Sequence, residues 1–202
     1  MSNNKNSEFQ PILTAEKGSN NALMKKCLFL YINKGEIIAD VTYGKGAFWS
    51  GIDLSGYDFR PTDIETGTDF GNLDYADSII DNLVLDPPYM HGGKTIKKSL
   101  NDCYKNRNTS HESVIRLYAR GILEAARVLK KGGFIFVKCQ DETESGRQRL
   151  SHIEIIKMME VFGFSIIDLF ILQQQSTPLM REKYQKTARK NHSYLVVGKF
   201  RR

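Results

Sequence analysis

Cysteine is scarce in this chain of 202 residues: there are three, Cys27, Cys103 and Cys139. They are odd in number and widely scattered, which excludes a disulfide framework and the CxxC spacing of a zinc site. Reduced thiols in a cytoplasmic protein are the expectation. The four histidines, His91, His111, His152 and His192, also lack metal-ligand spacing, so no metal is expected. No stretch approaches the ~18 uninterrupted apolar residues of a membrane span. Met1 to Gln10 is polar and has no apolar signal-peptide core, so secretion is not expected. No internal repeat is present. What remains is an ordinary globular balance, 41% hydrophobic and 26% charged, in a length that suits one domain with a real core. A wholly disordered or fibrous chain is excluded.

The net charge of +6 is unevenly placed. From Asp40 to Asp86 there are ten acidic residues against two basic. From Lys94 to Lys131 the count is ten basic against three acidic, and from Arg181 to Arg202 eight basic against one acidic. An acidic middle between basic flanks suggests a small-ligand site beside a surface for a polyanion. Solvated helix faces account for the same charges equally well at the level of composition.

Residues 1 to about 20 read as a polar tail, with the domain proper at 21–202. Asn21 to Leu30 has apolar residues near helical spacing. Ile37 to Val41 is a short apolar run that ends in the glycine turn Gly44-Lys45-Gly46. A second strand is expected at Tyr57 to Phe59, and a third at Asn82 to Asp86, stopped by Pro87-Pro88. Met90 to Ser110 is polar and basic and reads as a long loop. His111 to Lys131 is the clearest helix, with Val114, Leu117, Tyr118, Gly121, Ile122, Ala125, Val128 and Leu129 on one face and Gly132-Gly133 as its stop. Phe134 to Val137, Ser165 to Leu172 and Ser193 to Lys199 are further strands, and Ser151 to Phe162 a second amphipathic helix. Alternating helices and unalternating apolar strands predict an α/β domain, with a mostly parallel sheet and helices on both faces. The last two strands lack a helix between them and are expected to form an antiparallel pair at one edge.

Open α/β sheets bind ligands at the carboxyl ends of their strands. Asp40, Asp63 and Asp86 all fall at such ends. Gly44 and Gly46 allow backbone N–H groups to approach a ligand closely. Asp63 follows Asp40 at close to the ~20-residue offset of a ribose-capping acid. The third glycine of a dinucleotide fingerprint is missing, with Phe48 and Trp49 where that segment would continue. Asp86-Pro87-Pro88-Tyr89 is more specific. Its prolines remove two donors and fix the exit of the strand. A carboxylate, a fixed carbonyl and an aromatic ring then lie together. That set suits a planar base with an exocyclic amine: the ring stacks while the two acceptors take the amine hydrogens and favour the developing tetrahedral nitrogen.

Asp40-Val41-Thr42-Tyr43-Gly44-Lys45-Gly46 and Asp86-Pro87-Pro88-Tyr89 resemble the two signature motifs of class I S-adenosylmethionine-dependent amino-methyltransferases. The DPPY form resembles the N6-adenine DNA methyltransferases, and the extended pattern is similar to small solitary DNA methylases of phages and mobile elements. Gly-Lys-Gly-x-Phe-Trp, Val-Lys-Cys-x-Asp at 137–141 and a basic segment before the last strand belong to that likeness, which spans roughly Ile37 to Phe200. It implies a single Rossmann-like methyltransferase domain. Asp40, Thr42, Gly44 and Gly46 would hold the methionine part of S-adenosylmethionine, Asp63 the ribose, and Asp69 and Phe70 the adenine. Asp86, Pro87, Pro88 and Tyr89 would hold the target base. One departure is that Thr42 stands where the first motif usually has an aromatic.

Lys138, Cys139 and Asp141 end a strand that faces the same crevice if it is parallel. Lys94, Lys97, Lys98, Lys105 and Arg107 are candidate phosphate contacts, and Tyr104 could fill the gap left by an extruded base. Arg181 to Lys190 is a second candidate surface. The implied reaction is methyl transfer to adenine N6 in DNA, with base flipping. RNA base methylation at adenine N6 or guanine N2 is the rival enzyme reading, and a non-catalytic nucleic-acid-binding subunit the rival of another class. A cytosine-N4 enzyme more often has Ser in place of Asp86. Few residues after Asp86 are left for a separate recognition domain, so specificity is expected from the 90–110 loop, the C-terminal basic segment or a partner subunit.

Overall fold

The computed structural model of the chain describes residues 11–89, 110–174, 188 and 190–202. Among the described residues seven strands make one sheet: β1 (Ala15–Lys17), β2 (Ile37–Asp40), β3 (Asp58–Pro61), β4 (Ile80–Leu85), β5 (Leu129–Cys139), β8 (Phe164–Gln173) and β9 (His192–Phe200). A separate hairpin is formed by β6 (Glu142–Glu144) and β7 (Arg147–Arg149). The helices are α1 (Asn20–Tyr31), α2 (His111–Val128) and α3 (Ser151–Val161).

The order across the sheet is β1-β8-β9-β5-β4-β2-β3. All neighbours are parallel except β5/β9 and β8/β9, so β9 alone runs backwards. The expected antiparallel pair of β8 and β9 lies towards one end of the sheet. The chain leaves β2 for β3 on one side and returns to β4 on the other, which makes the β2/β4 boundary the topological switch point where such sheets bind ligands.

The strands alternate between two cores. Ala39, Leu83, Leu85, Ile135, Val137 and Val196 face α2 and α3. Ile38, Val84, Phe136, Leu195 and Val197 face α1 together with Phe48 and Trp49. Both faces are covered, which is why the strands read as continuous apolar runs. Gly121 brings α2 close to the sheet, since a Cβ there would lie 2.9 Å from Leu85 and 3.0 Å from Phe70.

Three local features differ from the sequence-based expectation. Ala15–Lys17, expected within a tail, pairs in parallel with Ile171–Gln173, and Lys26 holds this segment through the Leu13 carbonyl and the Glu16 carboxylate. The long helix ends at Val128, three residues before the expected stop, because Leu129 already pairs with Ile80. The glycine pair serves the strand instead. Gly132 adopts a positive φ of 86°, and a Cβ on Gly133 would meet the Asp81 carbonyl at 2.7 Å. The register accordingly jumps from Ile80↔Leu129 to Asn82↔Phe134. The hairpin β6–β7 lies outside the expected strands. Its two turn residues, Ser145 and Gly146, both have positive φ, as a tight hairpin turn requires. Their adjacency is a turn signal that sequence reading can use.

Candidate active site

The carboxyl ends of β2, β3 and β4 bring Asp40, Asp63 and Asp86 to one edge of the sheet. Asp40 is the last residue of β2 and is 2% exposed. Its Oδ2 accepts the Trp49 indole N–H at 2.6 Å, and its Oδ1 accepts the Thr42 backbone N–H at 3.0 Å. Burial pushes its carboxyl up to about 7 against these two hydrogen bonds, with the Asp86 charge adding to the rise. No sequence signal marks Trp49 as the residue that holds this carboxylate. Trp49 and Phe48 instead explain why no helix follows the glycine turn: the segment folds inward as successive turns and buries both rings.

The turn itself is fixed by backbone bonds. Tyr43 N–H donates to the Thr62 carbonyl, and Gly46 N–H to the Tyr43 carbonyl. Gly44 and Gly46 both have positive φ, 52° and 70°. A Cβ on Gly46 would lie 2.6 Å from the Tyr43 hydroxyl, so glycine is required twice over there. Asp63 closes the turn from β3. One carboxylate oxygen accepts the Gly44 N–H at 3.0 Å, and the other caps the short 3-10 helix Ile64–Thr66 through Glu65 N–H at 2.9 Å. Asp63 remains partly exposed beside the turn. Asp69 accepts the Gly71 N–H at 2.8 Å and pairs with Arg120 of α2 at 2.7 Å. Partial burial opposes its ionisation, and those two partners together hold its carboxyl below the ordinary range. Phe70 packs on the α2 core.

Asp86 follows β4 directly and is joined to the first turn by Thr42, whose hydroxyl accepts the Asp86 N–H at 2.7 Å. The hydroxyl also lies 3.5 Å from Asp40 Oδ1. Thr42 thus cross-links the two signature loops, a role that an aromatic side chain could not fill. The Asp86 carboxylate differs from that of Asp40, because its Oδ1 is buried without a hydrogen-bond partner among the described residues. Burial pushes this carboxyl up to about 6, opposed by Lys138. Leu85 pairs with Val137 in the parallel ladder, so Asp86 and Lys138 occupy successive places on adjacent strands. Lys138 is 3% exposed, and its Nζ stands 5.8 Å from the centre of the Tyr89 ring. Pro87 is buried, and Pro88 and Tyr89 are partly buried. Cys139 is a core thiol pushed well up by burial, which removes it as a nucleophile. Asp141 is turned away to His152, whose Nδ1 lies 2.7 Å from it.

The structure therefore brings together Asp40, Thr42, Gly44, Gly46, Asp63 and Asp86, with Lys138 next to Asp86 in the strand register and near the Tyr89 ring. Asp69 and Phe70 lie next to this group on the α2 side. The expected nucleic-acid contacts Lys94, Lys97, Lys98, Tyr104, Lys105 and Arg107, like most of Arg181 to Lys190, lie outside the described residues. Among the described residues no cluster of His, Cys, Asp or Glu is arranged to hold a metal ion, and no helix is long and apolar enough to cross a membrane.

This architecture is that of S-adenosylmethionine-dependent methyltransferases. It resembles such an enzyme of Methanosarcina mazei at 11% identity, with 87% of this chain and 97% of that one covered and a TM-score of 0.50. It also resembles TrmN of Thermus thermophilus at 14% identity, with 89% and 48% covered and a TM-score of 0.53. The [4+2]-cyclase SpnF matches at 13% identity, with 90% and 80% covered and a TM-score of 0.56, so these likenesses establish the fold and not the reaction. The family is given by sequence: residues 80–198 match the model of the N6/N4 DNA methylases, and the chain belongs to that family, whose cofactor is S-adenosylmethionine. No curated protein matches the chain. A candidate DNA modification methylase of Thermus thermophilus matches at 13% identity over 82% of this chain with a TM-score of 0.44, and this chain spans about half of its length, 53%.

Proposed function

We propose that this protein transfers a methyl group from S-adenosylmethionine to the N6 amine of adenine in DNA. The observation that carries the reading is the Asp86 carboxylate. It sits at the switch point of the sheet, opens the DPPY segment and has a buried oxygen with no hydrogen-bond partner among the described residues. A buried acceptor without a donor calls for a ligand that supplies one. The exocyclic amine of a flipped base supplies two. Asp86 accepts one amine hydrogen, the Pro87 carbonyl the other, and Tyr89 stacks on the ring. These acceptors favour the nitrogen as its lone pair leaves conjugation and becomes the nucleophile.

The residues present also fit the cofactor. The backbone at 42–46 is held open by two positive-φ glycines, and the half-exposed Asp63 carboxylate stands beside Gly44 where ribose hydroxyls would lie. Bound there, S-adenosylmethionine supplies an electrophilic methyl group. Asp40, with both oxygens engaged by Thr42 and Trp49, acts by shaping that turn. Asp69 and Phe70 border the place for the cofactor's adenine. DNA is favoured by the family match over residues 80–198, and the basic residues Lys94, Lys97, Lys98, Lys105 and Arg107, with Tyr104, are proposed to meet it.

The test is methylation of matched DNA and RNA oligonucleotides with labelled cofactor, followed by nucleoside analysis. N6-methyladenine from DNA is the expected product. N4-methylcytosine, or label in RNA alone, would replace the assignment. Cofactor binding without transfer to any polymer would make the chain a non-catalytic subunit.

A further inference from the structure

Lys138 is the only lysine or arginine among the described residues that is buried, at 3% exposure. An ammonium in such a place is costly unless a counter-charge accompanies it. Its surroundings show what it serves. Asp86 lies across the β4/β5 ladder one position beyond the Leu85↔Val137 pair, and the Tyr89 ring lies 5.8 Å from Nζ. The backbone carbonyl of Lys138 accepts the buried Tyr118 hydroxyl of α2 at 2.7 Å, which fixes the strand end. The ammonium thus stands near the Tyr89 ring, from a strand position next to that of Asp86, with its charge coupled to the carboxylate.

We propose that Lys138 is a positioning residue for methyl transfer, whose ammonium keeps Asp86 ionised as an acceptor and holds the face of Tyr89 at the target pocket. This rests on the reading of Asp86 as the partner of the target amine. A protonated Asp86 would present a donor to a nitrogen that needs acceptors. Burial drives Asp86 towards that state, and Asp40 on the neighbouring β2, itself lifted to about 7, supplies nothing that opposes it. The other titratable neighbours do not oppose this. Tyr118 from α2 is kept neutral chiefly by its own burial, Cys139 on the same strand is a neutral thiol for the same reason, and Glu142 of β6 is engaged by His111. Lys138 is the group whose charge opposes the rise, and burial and Asp86 act on it in opposite directions in turn. A cation against an aromatic face also favours one ring orientation, which a base stacking on Tyr89 would need.

Single-turnover transfer measured against pH tests this. In Lys138→Met, which keeps the unbranched length and removes the charge, the acid limb should move to higher pH by about 1 unit or more, the size expected for loss of one close opposite charge. Cofactor affinity should stay within a few-fold. In the Asp86→Asn background the same change should shift no acid limb, since the charge that sets it is already removed. A folded Lys138→Met with an unmoved acid limb overturns the proposal. A second measurement needs neither that variant nor any substrate. The Lys138 side-chain resonance, followed over pH in isotopically labelled wild type and Asp86→Asn, should titrate about 1 unit or more lower once the carboxylate charge is gone. An unchanged titration shows that the two charges do not share a field and ends the assignment. If the oligonucleotide assay finds another target while this titration still moves, the reading of the substrate fails and the coupling stands.

Discussion

Asp40 and Asp86 stand at the ends of neighbouring parallel strands, both buried enough to lift their carboxyls far above the ordinary range, to about 7 and about 6. Their partners are opposite in kind. Asp40 spends both oxygens inside the chain, on the Trp49 indole and the Thr42 backbone. Asp86 has a buried oxygen with no partner among the described residues and an ammonium, Lys138, acting on it from the next strand. A satisfied buried carboxylate builds structure, while one left with spare capacity stores a cost that only a ligand removes. Two acids with the same place in the topology thus separate into a scaffold role and a proposed catalytic role. The residue between them, Thr42, accepts from Asp86 N–H and leans on Asp40.

That contrast can be broken most directly at Asp86. Asp86→Ala should lower single-turnover transfer by about 10²–10³-fold or more, the scale seen when one transition-state hydrogen-bonding group is removed. Its cofactor affinity should stay within a few-fold by titration. Loss of cofactor binding with transfer retained would exchange the roles of the two acids. Tyr89 comes next. Tyr89→Ala should weaken transfer by the worth of one base–aromatic stack, about 1–3 kcal/mol, and Tyr89→Phe should keep most of the activity. Equal losses in both would assign the effect to the hydroxyl.

Thr42→Val sharpens the comparison by cutting the link at nearly constant volume. It strands the Asp86 N–H and should cost about 1–3 kcal/mol in denaturant unfolding, with Thr42→Ser close to wild type. A neutral valine variant would mean that water replaces the hydroxyl. The last test is a pH dependence at Asp40. Its folded carboxyl titrates near 7, above the ordinary 3.8, so between those values the folded chain binds more protons than the unfolded one. Stability from this group is therefore greatest at low pH and declines as pH rises towards 7. The unfolding midpoint of wild type relative to Asp40→Asn should be more favourable at pH 5 than at pH 8. The reverse order would show that the Trp49 and Thr42 bonds to the charged form outweigh burial.

Much of this is legible without coordinates, and for identifiable reasons. The apolar runs at Ile37–Val41, Asn82–Leu85 and Phe134–Val137 signal strands buried on both faces, because such strands have no solvent side to mark with polar residues. Gly44-Lys45-Gly46 and Asp86-Pro87-Pro88-Tyr89 signal turns, because positive φ and missing donors are properties of residue type. Those local rules suffice for the α/β class, for the strand ends that carry Asp40, Asp63 and Asp86, and for the resemblance to DNA methylases. They do not reach contacts between distant segments. That Ala15–Lys17 would add an edge strand depended on a parallel partner, Ile171–Gln173, more than 150 residues away. That the Gly132-Gly133 pair would kink a strand and not end a helix depended on Ile80 capturing Leu129. Above all, three aspartates that look alike in sequence are distinguished only in three dimensions. Trp49 turns inward to satisfy Asp40, Gly44 and Glu65 N–H groups meet Asp63, and the β4/β5 register sets Lys138 next to Asp86, whose buried oxygen has no partner among the described residues. Sequence determines which groups are available at the sheet's edge; packing decides which of them still lack a partner, because hydrogen-bond satisfaction is a property of neighbours in space.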